Sequence, residues 1–205
     1  MKKAILIISL LVYSVFTYGQ DLSFSLSPTL NNVLYYRFVA GGPIRSAKFG
    51  VNSSIGYEFI NNNRVSLGFG ISYQYSQVEI APSFDPIIER IFHTESVNLI
   101  SVSFKTIYKL KKEYYFSLDP LLDIQLKSDS QKAIDNQTGL GLSFAAGKKI
   151  LIKDSFYVRI EPRIWVHNIV PFIDNNLPLR LTVVGINIGV GLRKQNILCT
   201  TAPQK

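Results

Sequence analysis

The sequence predicts an all-β fold, an eight-stranded antiparallel up-and-down transmembrane β-barrel, and three observations predict it. Apolar and polar residues alternate with a period of two through eight segments. The connections between those segments alternate short and long. The polar members of the alternation are mostly small residues, unlike the charged residues of a solvent-facing sheet. Period two marks a strand because successive side chains leave it on opposite faces, whereas a 3.6-residue turn would scatter the same apolar positions around a helix.

The pattern is clearest between Asp154 and His167. Phe156, Val158, Ile160, Pro162, Ile164 and Val166 make one face; Tyr157, Arg159, Glu161, Arg163, Trp165 and His167 make the other. The first strand sets Leu22, Phe24 and Leu26 against Ser23, Ser25 and Ser27, and its pattern extends toward Leu34, Tyr36 and Phe38. The second sets Phe49, Val51, Ile55, Tyr57 and Phe59 against Gly50, Asn52, Ser54, Gly56 and Glu58. After the turn Asn61-Asn62-Asn63, the third sets Val65, Leu67, Phe69, Ile71, Tyr73 and Tyr75 against Ser66, Gly68, Gly70, Ser72 and Gln74. Ile100, Val102, Phe104 and Tyr108 mark the fourth, Tyr114 through Leu126 the fifth, and Leu140, Leu142, Phe144 and Ala146 the sixth. The Asp154 to His167 stretch is the seventh, and Thr182 through Leu192 the eighth.

Short turns are expected at 60–63, 109–113 and 147–154, and long loops at 39–48, 77–95, 127–138 and 168–178. Short turns at one end and long loops at the other is the plan of a membrane barrel, and an even strand count puts both termini at the turn end. A soluble barrel such as a lipocalin shares the strand count. Its polar face would meet water and carry Lys, Glu and Thr, but the polar faces here are rich in Gly, Ser, Ala and Asn. Those residues suit the cramped interior of eight strands, which is just wide enough for side chains to fill. Tyr57, Phe59, Tyr73, Tyr75, Tyr108 and Tyr114 gather near strand ends on the apolar face, as interfacial aromatic girdles do.

Lys2 and Lys3 precede an apolar run from Ala4 to Phe16, followed by Thr17-Tyr18-Gly19. This reads as a secretory signal peptide over 1–19, since the run is shorter than the roughly 20 residues a membrane helix needs. The expected organisation is then signal peptide 1–19, barrel 20–194 and C-terminal tail 195–205. The charged fraction of 18 % lies below the roughly 25% of soluble domains, consistent with a membrane face. The single cysteine, Cys199, can form no internal disulfide. The formal charge is +8, with lysines concentrated at Lys109, Lys111 and Lys112 and at Lys148, Lys149 and Lys153. These fall in the expected turns and form no stripe along a folded face, so a nucleic-acid partner is not expected.

The inward face carries the charges. Lys105, Arg159 and Arg163 stand against Glu58, Asp119, Asp123 and Glu161, a nearly balanced set that reads as a salt-bridged plug. Pro28, Pro120 and Pro162 recur in SPTL, DPLL and EPRI. Proline donates nothing to a ladder, so bulges are expected, above all at Pro120 and Pro162.

The export signal, the eight alternating strands, the repeated x-Pro-x-Leu/Ile element and the glycine-alternating last strand GINIGVGLR resemble the PorT-like outer-membrane β-barrel domain family. The resemblance spans nearly all of the mature chain and implies an integral outer-membrane protein; the turn end, where the even strand count puts both mature termini, is then expected in the periplasm. The chain departs from the usual barrel ending, an aromatic residue closing the last strand: here Lys194 follows Arg193 and a tail continues.

Enzymatic barrels exist, and the architecture also resembles that of a lipid A deacylase, with a His and a Ser close together on one strand and an acidic partner. Here His93 precedes Thr94, Glu95 and Ser96, and His167 precedes Asn168 and Ile169; neither pattern puts His and Ser on one strand face two positions apart. No catalytic, cofactor-binding or metal-ligating set is expected, and no P-loop, dinucleotide fingerprint or nucleophile elbow occurs. Binding is expected at the long loops. The loop containing Phe84, Ile87, Ile88, Arg90 and Phe92 is the best candidate, with a glycolipid or other lipid of the outer membrane, or a protein partner, as the ligand class.

Overall fold

The computed structural model describes residues 21–35, 44–81, 93–126, 136–153, 155–173 and 179–193. The expected signal peptide and C-terminal tail, and the residues around Phe84 to Phe92, lie outside that set. Eight strands follow in order: β1 Asp21–Tyr35, β2 Ile44–Asn61, β3 Val65–Ala81, β4 His93–Lys109, β5 Tyr114–Gln125, β6 Gly139–Lys153, β7 Phe156–Pro171 and β8 Leu179–Arg193. Each pairs antiparallel with its chain neighbour, and β8 returns to β1 from Asp21↔Arg193 to Tyr35↔Leu179, closing the barrel. Closure leaves no unpaired edge, which is what lets a sheet sit in hydrocarbon.

The alternation becomes a radial division. Leu30, Phe49, Ile71, Ile186 and Leu192 are each more than half exposed, as are Leu22 and Phe24, while Ser23, Ser25, Ser27 and Thr29 beside them are buried. Such an unbroken apolar exterior exceeds by far the patch a soluble monomer carries. The fold is therefore a transmembrane barrel, and the lumen is its polar side. Aromatic rings mark the turn end of that exterior. Tyr108 stacks on Phe116 at 5.1 Å, Phe59 on Phe69 at 5.3 Å, and Phe69 meets Phe104 edge-on at 5.4 Å.

Several strands run further than their composition suggests. β3 and β4 stay paired out to Ile80↔His93, so the expected loop 77–95 shrinks at both ends. β2 starts at Ile44 inside the expected loop 39–48, and β7 continues through Asn168 to Pro171. On the other side, β6 and β7 pair out to Lys153↔Phe156, where a turn was expected over 147–154. Polar residues in these stretches resemble turn chemistry, but a hairpin already in register adds pairs at little cost beyond the membrane. Glu79 shows how: it accepts a hydrogen bond from Ser46 at 2.7 Å and pairs with Lys48 at 3.1 Å across β2 and β3.

Bulges were expected at Pro120 and Pro162, and the ladder does something else there. At each of the three prolines, pairing lapses on one side while the register holds. The β1–β8 ladder passes from Leu26↔Ile188 to Thr29↔Gly185, β4–β5 from Ser103↔Leu121 to Ile107↔Ser117, and β6–β7 from Ala145↔Arg163 to Lys148↔Ile160. On their other sides Pro28↔Val51, Pro120↔Leu142 and Pro162↔Ile186 are paired. Omitting a bond is the cheaper answer, because an inserted residue would turn every later side chain to the wrong face. Near Pro120 the Asp119 carboxylate accepts the Thr106 N–H at 3.1 Å, occupying a donor the lapsed pairing leaves over.

The true irregularities lie elsewhere. Register shifts occur between Ala47 and Gly50 and between Glu58 and Ile60 on β2, and between Leu140 and Leu142 and between Leu151 and Lys153 on β6. Opposite Leu140/Leu142, Asn168 on β7 adopts φ 54, the left-handed region that Asn tolerates better than most residues. The result is that His167 and Asn168, neighbours in sequence, are both buried.

A closed barrel resists detergent until heated. The purified protein is expected to run at two positions on a gel, compact when unheated and slower after boiling; a single position under both conditions would contradict closure.

Candidate functional site

The lumen is layered. Nearest the turn end, Asp21 of β1 and Lys149 of β6 form an ion pair across the interior, and the Lys149 Nζ lies 3.8 Å from the centre of the Tyr157 ring. Lys149 sat among the lysines expected in a turn. Its place on β6 follows from the parity of Ser143, Ala145 and Gly147, which points it inward once the strand is seen to continue. Glu58, 2 % exposed, accepts a 2.5 Å hydrogen bond from Ser66.

The next layer centres on Glu161 and Arg163. Glu161 Oε1 accepts from Asn187 Nδ2 at 2.5 Å and from Arg163 Nε at 3.2 Å, and Oε2 accepts from the Tyr115 hydroxyl at 2.5 Å. Arg163 Nη1 reaches Asp119 Oδ2 at 2.5 Å and Ser143 Oγ at 2.9 Å, while Nη2 donates to Ser117 Oγ at 3.1 Å. Arg159 Nε stands 3.8 Å from Glu161 Oε2. Lys105, also buried, lies against two glycines: a Cβ on Gly56 would overlap its Nζ, and one on Gly70 would crowd its Cε at 2.7 Å. The small residues of β2 and β3 are thus the space that the long cationic side chain occupies. Tyr115, Asn187 and the Asp21–Lys149 pair were not among the polar residues singled out from the sequence; their inward parity is the signal that would have found them.

Toward the loop end the filling changes character. Val33, Val78, Val97, Leu99, Leu121, Trp165, Leu181 and Val183 form an apolar cluster inside the barrel. Trp165 joins the two regimes, since the Arg163 guanidinium carbon lies 5.9 Å from its ring centre. Between them is a gap of about 20 Å³ bordered by Ser103, Lys105, Arg163, Trp165 and Asn187, room for about one water. Alternation puts Ile100, Leu122 and Val184 outside and therefore Leu99, Leu121 and Val183 inside, but it does not show that these inward residues meet in one layer.

Asp123 stands apart from the other charges. Its Oδ1 accepts from Ser101 Oγ at 2.5 Å, and its Oδ2 lies 3.0 Å from the Nδ1 of His167, which points inward by the alternation of β7. This places a Ser, a carboxylate and a His together. The serine is held by the carboxylate, so the order is wrong for an imidazole to draw its proton, and His167 is only 1 % exposed. His93 opens β4 opposite Ile80; its side chain lies outside the described set, as do Phe84, Ile87, Ile88, Arg90 and Phe92.

A buried ion network stripped of one member leaves uncompensated charge. Glu161→Ala is expected to lower stability by about 3–5 kcal/mol, read from the urea midpoint in detergent micelles. Replacing Arg163 and Asp119 together with Met and Leu should cost far less. Equal midpoints for Glu161→Ala and the parent would remove the network from the stability of the barrel.

No family model and no curated protein matches the sequence. Among solved structures, outer membrane protein AlkL in DMPC bilayers aligns at a TM-score of 0.52 and 9 % identity, over 89 % of this chain and 92 % of that chain. Neisserial surface protein A aligns at 0.49 and 14 % identity, over 85 % and 97 %. OprG from Pseudomonas aeruginosa aligns at 0.49 and 9 % identity, over 86 % and 96 %. At such identities the likeness is one of fold: this chain is an eight-stranded β-barrel built like small outer-membrane barrels.

Proposed function

We propose that the protein is an integral outer-membrane barrel without enzymatic activity, whose lumen is a plug and whose long loops bind a surface glycolipid, another lipid or a protein partner. Residues 1–19 export it and are removed, and the turn end, with both mature termini, faces the periplasm. The PorT-like resemblance fits this reading. The observation that carries it is the filling of the lumen by two successive layers, the ion network around Arg163 and the apolar cluster around Trp165, with a gap of about 20 Å³ between them. Eight strands so filled offer no aqueous path, and what remains for recognition is the rim and its loops. The lipid hydrolase reading finds less support, because Ser101 donates to Asp123 and not to His167.

Two measurements test the proposal. In planar bilayers the protein should show no step conductance above the bare membrane; discrete openings would overturn the plug. Deleting 82–92 should preserve the heat-dependent gel shift and abolish capture of the partner from outer-membrane extract. Unchanged capture would remove this loop from the proposal, and release of fatty acid from lipid A, lost in His167→Ala, would replace it with the hydrolase.

A further inference from the structure

The turn end of the lumen opens into a cavity of about 170 Å³ that neither the plug nor the loops account for. Glu58, Lys109, Glu113, Lys149, Arg159 and Arg193 supply its charged lining, four cations against two carboxylates. Most of these groups are already engaged. Lys109 Nζ is held by Asn61 and by the Asn62 carbonyl, the latter at 2.8 Å; Lys149 is held by Asp21, and Glu58 by Ser66. Arg159 is different. It is 3 % exposed, its Nε makes no hydrogen bond, and its ion-pair partner Glu161 is 3.8 Å away, beyond hydrogen-bonding reach. A guanidinium carries five donors in a fixed fork, and a buried donor left unmade costs about 1–3 kcal/mol.

We propose that this cavity binds a phosphate-class oxyanion, with the Arg159 guanidinium as its floor and Lys109, Lys149 and Arg193 as its rim. The fork geometry matches two oxygens of one phosphate, a match a lone ammonium lacks. The rim cations neutralise the remaining charge, and Glu58, tied to Ser66 by a 2.5 Å bond, sits to one side as the acceptor for any proton the anion keeps. The site is at the opposite end of the barrel from the proposed binding loops and does not depend on them. Two sources fit the chemistry: a soluble phosphate, and the headgroup phosphate of a lipid in the leaflet that surrounds the turn end.

The test uses the folded, nitrogen-15 labelled protein in a non-ionic detergent and follows the Arg159 Nε–H resonance, identified by its loss in Arg159→Lys. Inorganic phosphate, short-chain phosphatidic acid, and chloride at matched ionic strength are titrated in parallel. A saturable shift with inorganic phosphate and not with chloride supports a soluble ligand; tighter saturation by phosphatidic acid supports the lipid headgroup. Arg193→Gln and Lys109→Gln, at the rim and outside the buried network, should each weaken binding about tenfold, one charge-assisted hydrogen bond's worth. If Arg159→Lys does not fold, these two variants carry the test by calorimetric titration. Equal shifts with chloride, no saturation with either phosphate, or undiminished affinity in both rim variants overturns the proposal.

Discussion

Closure of β8 onto β1 is the constraint on which the rest depends. A sheet in hydrocarbon cannot leave an edge, so all eight ladders must close, and eight strands close around a lumen just wide enough for side chains to fill. Every inward position is then a packing decision. The glycines of β2, β3 and β8 exist beside long side chains reaching in from elsewhere: Lys105 lies over Gly56 and Gly70, and the Tyr157 ring occupies the place a Cβ on Gly191 would need. The interior is large on some strands because it is small on others.

Charge in that interior is tolerated through connection. Glu161 is met by Tyr115, Asn187 and Arg163, and Arg163 in turn by Asp119, Ser117 and Ser143, so the strands β5, β6, β7 and β8 are tied to one another through side chains as well as ladders. The tie is strongest where the ladder is weakest. Pro120 and Pro162 each cost β5 and β7 pairs on one side, and Asp119, Glu161 and Arg163 stand next to them. We read the network and the prolines as one local arrangement, in which side-chain hydrogen bonds across the lumen replace backbone bonds lost from the wall.

The two ends of the barrel differ in kind. Toward the loop end lies an apolar layer, with His167 beside Asp123 on its flank and the β7 bulge turning Asn168 inward next to it. The turn end stays open and cationic. An asymmetric filling of this sort gives a small barrel two ends with separate chemistry.

The sequence by itself determined that there are eight strands and which of their faces is greasy, because a period of two is a property of the chain that no neighbour can alter, but it did not determine where those strands end. It also identified Glu58, Lys105, Asp119, Arg159, Glu161 and Arg163 as members of the inward face, from parity alone. Parity cannot say who meets whom. That Arg163 binds Asp119 and not Asp123, that Lys149 crosses the lumen to Asp21, and that Asp123 takes His167 depend on the tilt of the strands, which sets side by side residues that no sequence spacing relates. The apolar layer was hidden for a related reason: parity puts Leu99, Leu121 and Val183 inside, but only the closed barrel brings them together with Trp165 in one cluster. The prolines were readable as interruptions, but the choice between inserting a residue and omitting a bond belongs to the whole ladder, because a slip of register turns the later side chains of the strand to the other face.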